Sequence, residues 1–98
     1  MGIDRETARL CVGAGWGTLL DEVYDELPDD TIVTQVKEKF GGLRVYVDSA
    51  PEEFLDFLDE IEDESWTVCE MCGEPGELRT KGWMKTRCDE CEERERCG

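Results

Sequence analysis

The sequence predicts an α+β fold with N-terminal helices, an antiparallel β-hairpin, an amphipathic helix and a C-terminal four-cysteine ribbon. Three observations support it: two segments with helical apolar spacing, a β-branched segment between them, and two C-x-x-C pairs fifteen residues apart. A chain of 98 residues forms one domain with a modest core. We expect an α+β body over residues 1–66 and the ribbon over residues 67–98, packed as one folding unit.

Two helices are predicted near the N-terminus. Asp4 is a suitable N-cap for a short first helix, which Gly13 ends. Cys11 in that helix is expected to be a small buried hydrophobe. The glycine-rich segment 13–17 is interpreted as a helix–helix turn, because no strand precedes it and no Gly-Lys-Ser/Thr follows to make a phosphate loop. The second helix is marked by apolar residues at three- and four-residue steps: Trp16, Leu19, Leu20, Val23, Tyr24 and Leu27.

A β-hairpin is predicted after the second helix. Residues 31–37 are rich in β-branched side chains, and residues 43–48 alternate between apolar and polar side chains, as strands do. Residues 38–42 connect them, and their two glycines permit positive φ angles. The hairpin is therefore expected to be antiparallel, with a tight glycine-containing turn.

The two faces of this hairpin are expected to differ. The second strand places Arg44 and Tyr46 on the face opposite its apolar residues Leu43, Val45 and Val47. If Gln35 and Lys37 of the first strand join Arg44 and Tyr46, the hairpin has an apolar side for the helices and a basic, aromatic side for a ligand.

An amphipathic helix is predicted over residues 51–64, because Pro51 and the acids after it suit a helix start. Eight carboxylates and no basic residue lie between Glu52 and Glu64. Such a run is typical of a solvated helix face, and the alternative is a surface that imitates a nucleic acid to a basic partner. The apolar stripe consists of Phe54, Phe57, Leu58 and Ile61, with Trp66 as a candidate extension.

The charge balance restricts the function classes. The chain has 26 acidic residues, 11 basic residues and no histidine, which removes every catalytic Ser-His or Cys-His pair and favours a protein that is not an enzyme. A net charge of −15 repels phosphates at long range. It indicates either adaptation to high salt or a decoy surface. No apolar run approaches a membrane span and no signal peptide is evident, so a cytoplasmic protein without membrane contact is expected.

The four-cysteine motif predicts one structural Zn²⁺. Each C-x-x-C pair lets one turn present two thiolates to the same ion, and four thiolates leave no open coordination position. An iron site is the less favoured alternative. Gly73 after the first pair is expected in the left-handed conformation. Cys97 is expected to be an exposed tail thiol. The expected ligands are Cys69, Cys72, Cys88 and Cys91.

A basic, aromatic surface is the candidate ligand site. Seven of the eleven bases lie in the hairpin and in the segment between the cysteine pairs, and bases with interleaved aromatics can hold phosphates and stack nucleobases. The alternative is structural: the bases pair with surplus carboxylates and the aromatics pack the ribbon on the body. The candidate residues are Lys37, Lys39, Arg44, Tyr46, Arg79, Lys81, Trp83, Lys85 and Arg87.

Two functions are therefore expected as alternatives. The first is recognition of a nucleic acid or nucleotide through this basic, aromatic surface. The second is an acidic inhibitor that binds a host protein through the helix over residues 51–64.

Two stretches resemble a known family. The segments Q-V-K-E-K-F-G-G-L-R-V-Y (residues 35–46) and C-E-M-C-G-E-P-G followed by G-W-M-K-T-R-C-D-E-C (residues 69–91), together with Gly15-Trp16, are similar to small zinc-ribbon proteins encoded by phages, prophages and bacterial genomes. The resemblance implies a mobile-element accessory protein and brings no activity with it. In that family the second cysteine pair can carry a histidine where this chain has Cys91. The strong acidity here indicates a salt-adapted version.

Overall fold

The computed structural model describes residues 2–80 and 84–97, with side chains through residue 93. It confirms the α+β class, because helices enclose one antiparallel hairpin and a second, shorter one lies between the cysteine pairs. The elements in chain order are α1 (Arg5–Cys11), a 3₁₀ turn (Ala14–Trp16), α2 (Gly17–Asp25), β1 (Ile32–Lys39), β2 (Gly42–Asp48), α3 (Glu52–Ser65), β3 (Glu77–Arg79), β4 (Lys85–Arg87) and α4 (Asp89–Cys97).

Helix α1 is short and contributes little to the core. The predicted N-cap is confirmed, since the Asp4 carboxylate accepts a hydrogen bond from the Thr7 amide at 2.8 Å. Ala8 is its buried residue. The expectation that Cys11 is buried is wrong: its side chain is exposed, and its thiol donates to the Thr7 carbonyl at 3.4 Å. The helix ends at Cys11, so this last turn lies outside the core.

A bulge in the first hairpin sets which residues face the core. The register pairs Val33 with Val47 but Gln35 with Tyr46, so Thr34 is an extra residue in β1. Its hydroxyl donates to the Tyr46 carbonyl at 3.2 Å. The extra residue turns both Val33 and Val36 inward, although their spacing of three would place them on opposite faces of a regular strand.

The outward face of this hairpin has the predicted composition, because Gln35 lies opposite Tyr46 and Lys37 lies opposite Arg44.

Helix α3 covers the inner side of the hairpin, and the Leu43 amide donates to the buried Ser65 hydroxyl at 2.9 Å. The core therefore joins α1, α2, the hairpin and α3. Its buried members are Ala8, Trp16, Leu19, Leu20, Val23, Val33, Val36, Leu43, Phe54, Leu58 and Ile61.

The cysteine-containing ribbon contacts the body at two places. At the first, the Gly15 amide donates to the Glu70 carbonyl at 2.8 Å, and the Trp16 indole donates to the Val68 carbonyl at 3.0 Å. At the second, the buried Thr86 hydroxyl of β4 donates to the Gly41 carbonyl in the hairpin turn at 2.6 Å. These hydrogen bonds link the ribbon to elements far away in sequence.

Candidate metal centre

The four predicted cysteines come together at one point. The sulfurs of Cys69, Cys72, Cys88 and Cys91 all lie within 4.8 Å of one another. Those of Cys72 and Cys88 are 3.7 Å apart, which is far too long for a disulfide bond of about 2.05 Å. Four sulfurs around a zinc ion at about 2.3 Å would be separated by about 3.8 Å. The cluster therefore has the dimensions of a tetrahedral metal site.

Local backbone geometry places the sulfurs. Gly73 has a φ of 83°, as predicted, and its amide donates to the Cys69 carbonyl at 2.9 Å, which closes the first turn. In the second turn the Cys91 amide points at the Cys88 sulfur at 3.5 Å, just as α4 begins. Each C-x-x-C pair is therefore held by its own backbone turn, and a thiolate there gains amide hydrogen bonds.

The thiols differ strongly in acidity. Burial raises the pKa of Cys69, but backbone hydrogen bonds from Cys88 and Cys72 outweigh burial and lower that pKa to about 6. The pKa of Cys91 is raised to about 12, first by its interaction with the Cys88 sulfur and then by burial. The Cys69 thiolate thus forms readily, whereas Cys91 resists further negative charge. A bound cation would remove that resistance.

The glycine-rich segment supports the first cysteine pair, a role that the sequence did not reveal. A Cβ atom on Gly15 would lie 2.0 Å from the Cys69 carbonyl oxygen, so only glycine permits this approach. Trp16 is fully buried beside it. In its local conformation the segment is a turn between two helices, as predicted. No local sequence signal distinguishes this segment from other glycine-containing turns, because Gly15 contacts Cys69, which is more than fifty positions away.

A largely buried ion pair lies beside the cysteine cluster. The Arg87 guanidinium is 3.3 Å from the Glu70 carboxylate, and both side chains are nearly nine-tenths buried. Burial raises the pKa of Glu70, and the charge of Arg87 partly offsets that rise. The pair joins the first cysteine turn to β4, since the Glu70 amide also donates to the Thr86 carbonyl at 3.0 Å.

Most bases of the predicted ligand surface form ion pairs. Arg44 lies 3.4 Å from Glu62. In the ribbon, Arg79 contacts Asp89 at 2.8 Å, and Lys85 lies 3.9 Å from Glu92. Together with Arg87, four of the six predicted bases that the structure describes have a carboxylate partner. Pairing of the bases with surplus carboxylates is the arrangement expected if these residues have a structural role rather than a ligand-binding one.

The other predicted ligand residues that the structure describes, Lys37, Lys39 and Tyr46, lie on the first hairpin. The Lys37 ammonium lies 5.5 Å from the centre of the Tyr46 ring, and that of Lys39 lies 5.8 Å from the Phe40 ring. Phe40, at the turn, is 63% exposed. The structure therefore brings two lysines and two aromatic rings to one end and one face of the hairpin. Lys81 and Trp83, also predicted, lie outside the described residues.

Helix α3 presents an exposed acidic surface. Its apolar stripe is buried as predicted, at Phe54, Leu58 and Ile61. Of its eight carboxylates, only that of Glu62 pairs with a base within the described part of the chain. The others are exposed: Glu52, Glu53, Asp56, Asp59, Glu60, Asp63 and Glu64.

Comparisons of the chain with known protein families, with curated proteins and with solved structures find no match. Within residues 2–80 and 84–97, no helix is both long enough and apolar enough to span a membrane. The fold and the site themselves define the class: a small α+β protein with four clustered cysteines that are compatible with one metal ion.

Proposed function

We propose that this protein is a binding module whose ribbon is held by one structural Zn²⁺. The observation that carries the zinc assignment is the set of four sulfurs within 4.8 Å of one another. Four thiolates complete a tetrahedron and leave no position for water or substrate, so the metal has a folding role. At neutral pH such a site contributes on the order of 10 kcal/mol to folding.

Metal analysis tests this assignment. We expect one zinc per chain by mass spectrometry, and Co²⁺ substitution should give the intense visible absorption of a tetrahedral thiolate site. Cys69→Ser should lose the metal and the ribbon structure together, whereas Cys11→Ser, a matched change at an exposed thiol outside the cluster, should retain both. Purified protein that contains iron, or a Cys69→Ser variant that retains one zinc, would contradict the zinc centre.

We further propose that the outward hairpin surface, defined as Lys37, Lys39, Phe40 and Tyr46, binds a nucleic acid or nucleotide. Within the described residues neither lysine forms an ion pair, and each ammonium group lies near an aromatic ring. Cationic groups beside exposed rings suit phosphates and stacked bases. The role requires no catalytic group, in agreement with a chain that lacks histidine.

Binding measurements with a fluorescent oligonucleotide test this role. The double change Lys37→Ala/Lys39→Ala should abolish binding and leave the zinc content intact. Arg5→Ala/Arg9→Ala is the matched control, because it removes the same charge at residues already paired with Asp21 and Asp25. If both double variants lose the same affinity, only overall charge matters and the hairpin surface is not the site.

A second candidate function rests on the unpaired acids of α3. None of the seven exposed carboxylates there has an ion-pair partner in the described residues, and the first six along the chain form a surface that could attract a basic protein. A pulldown partner should then be lost when all six are neutralised, and retention of that partner would exclude the role. The six are Glu52, Glu53, Asp56, Asp59, Glu60 and Asp63.

A further inference from the structure

A groove of about 230 Å³ lies where the end of α2 meets the start of α3. Two phenylalanine rings contribute apolar surface to it: Phe54 is buried, Phe57 is half-buried, and the ring centres are 5.8 Å apart. The lining residues are Glu26, Pro28, Pro51, Glu53, Phe54 and Phe57. Two carboxylates therefore border a depression that is otherwise formed by proline and phenylalanine side chains.

Both bordering carboxylates are available to a ligand. Glu26 and Glu53 are exposed, and neither forms an ion pair with any residue in the described parts of the chain. Glu53 lies in the first turn of α3, where the helix dipole favours a negative charge. A ligand that fills the groove must therefore combine an apolar section with a positive charge.

The surroundings exclude anions. Residues 21–30 contain six acidic residues and no base, and residues 51–64 contain eight acidic residues and no base. The groove lies between these two segments. Among their carboxylates only those of Asp21, Asp25 and Glu62 pair with a base in the described residues, so the local potential is negative. Lysine and arginine match it, because their methylene chains cover apolar surface while the charged head reaches the carboxylates. The Phe57 ring adds a face on which a cation is favoured.

We propose that this groove receives a lysine or arginine side chain from a basic polypeptide. The inference rests on the second candidate function, contact of the acidic surface with a basic protein, and names the position where a side chain is anchored. The aliphatic stem lies between the prolines and Phe57, and the head pairs with Glu26 and Glu53. The remaining acids of α3 contribute long-range attraction without a fixed partner.

Titration of the zinc-loaded protein with a short alternating arginine–glycine peptide tests the proposal. The same peptide with citrulline in place of arginine controls for charge. Glu26→Gln/Glu53→Gln alters the groove, and Glu60→Gln/Asp63→Asn is the matched control, with the same change in charge on the same acidic surface. At near-physiological salt the groove variant should lose about fivefold in affinity and the control less than about twofold.

Amide chemical shifts locate the contact. Arginine peptide should shift the amides of Phe54 and Phe57 in the wild-type protein, and citrulline peptide should not. If the peptide binds but both double variants lose affinity equally, the acidic surface attracts cations without a specific site. In that case only the groove proposal fails. If the arginine peptide does not bind at all, the second candidate function fails with it.

Discussion

At the scale of single residues, two tryptophans differ in one hydrogen bond. The Trp16 indole donates to the Val68 carbonyl at 3.0 Å and so connects the core to the ribbon. The Trp66 indole covers Gly42, and its buried N–H has no partner within the described residues. A buried donor without a partner costs stability, whereas a satisfied one contributes about 1 kcal/mol. The two side chains therefore respond differently to removal of the N–H.

Paired Trp→Phe changes test this difference. Trp16→Phe should lower the free energy of unfolding by about 1–2 kcal/mol more than Trp66→Phe, because only the first leaves a carbonyl without its donor. Urea unfolding of the zinc-loaded variants measures both values. An equal loss for the two variants would show that ring size rather than the Trp16 hydrogen bond determines the effect.

At the scale of elements, a 3₁₀ turn and a cysteine turn are in direct backbone contact. Gly15 approaches the Cys69 carbonyl so closely that a methyl group there would overlap it. Gly17, two residues later, is the first residue of α2, and the nearest atoms to a Cβ there belong to the Arg9 guanidinium, at 3.4 Å or more. The first glycine is required by a contact with the ribbon, and the second has no such requirement.

The two glycine positions give a matched pair of variants. Gly15→Ala should weaken zinc affinity and lower the unfolding temperature, because the first cysteine turn must move away from the body. Gly17→Ala should leave zinc affinity unchanged and is expected to be neutral or stabilising, since alanine favours a helix. Competition with a chromogenic chelator measures the affinities. Unchanged zinc affinity in Gly15→Ala would show that the cysteine turn does not depend on this contact.

At the scale of the whole molecule, self-repulsion opposes folding. The 26 acidic residues outnumber the 11 basic ones, which leaves a net charge of −15 on 98 residues. Some acids are paired, such as those of α2 with Arg5 and Arg9. Exposed pairs contribute little. The acids of α3 repel one another without any base between them along the chain. Stability should therefore depend on the salt concentration.

Thermal unfolding should occur at a higher temperature in about 1 M NaCl than in about 0.1 M, because the screening length falls from about 10 Å to about 3 Å. In the variant Asp56→Asn/Asp59→Asn/Glu60→Gln the rise should be smaller, since three repelling charges are removed. Circular dichroism follows both proteins. An identical rise in the variant would indicate that salt acts through apolar burial or ion binding instead.

The helices, the hairpin and the two cysteine turns were predictable because their signals are local. Three- and four-residue spacing marks α2 and α3, and each cysteine pair is held within one turn, so neighbours in sequence are neighbours in space. Exposure of Cys11 was not predictable, since it depends on where α1 stops relative to the core. The bulge at Thr34 was not predicted for a similar reason, because a bulge is defined by how β1 pairs with β2.

The sequence by itself determined the α+β class, the four cysteines that form the cluster and the acidic face of α3. The tertiary structure alone decided which bases have partners. With 26 carboxylates available, composition does not tell whether Arg87 meets Glu70 or remains free, whereas folding places them 3.3 Å apart. The tertiary structure also decided that Gly15 lies against the first cysteine turn. Both depend on distances between residues far apart in sequence, which only packing of the complete chain establishes.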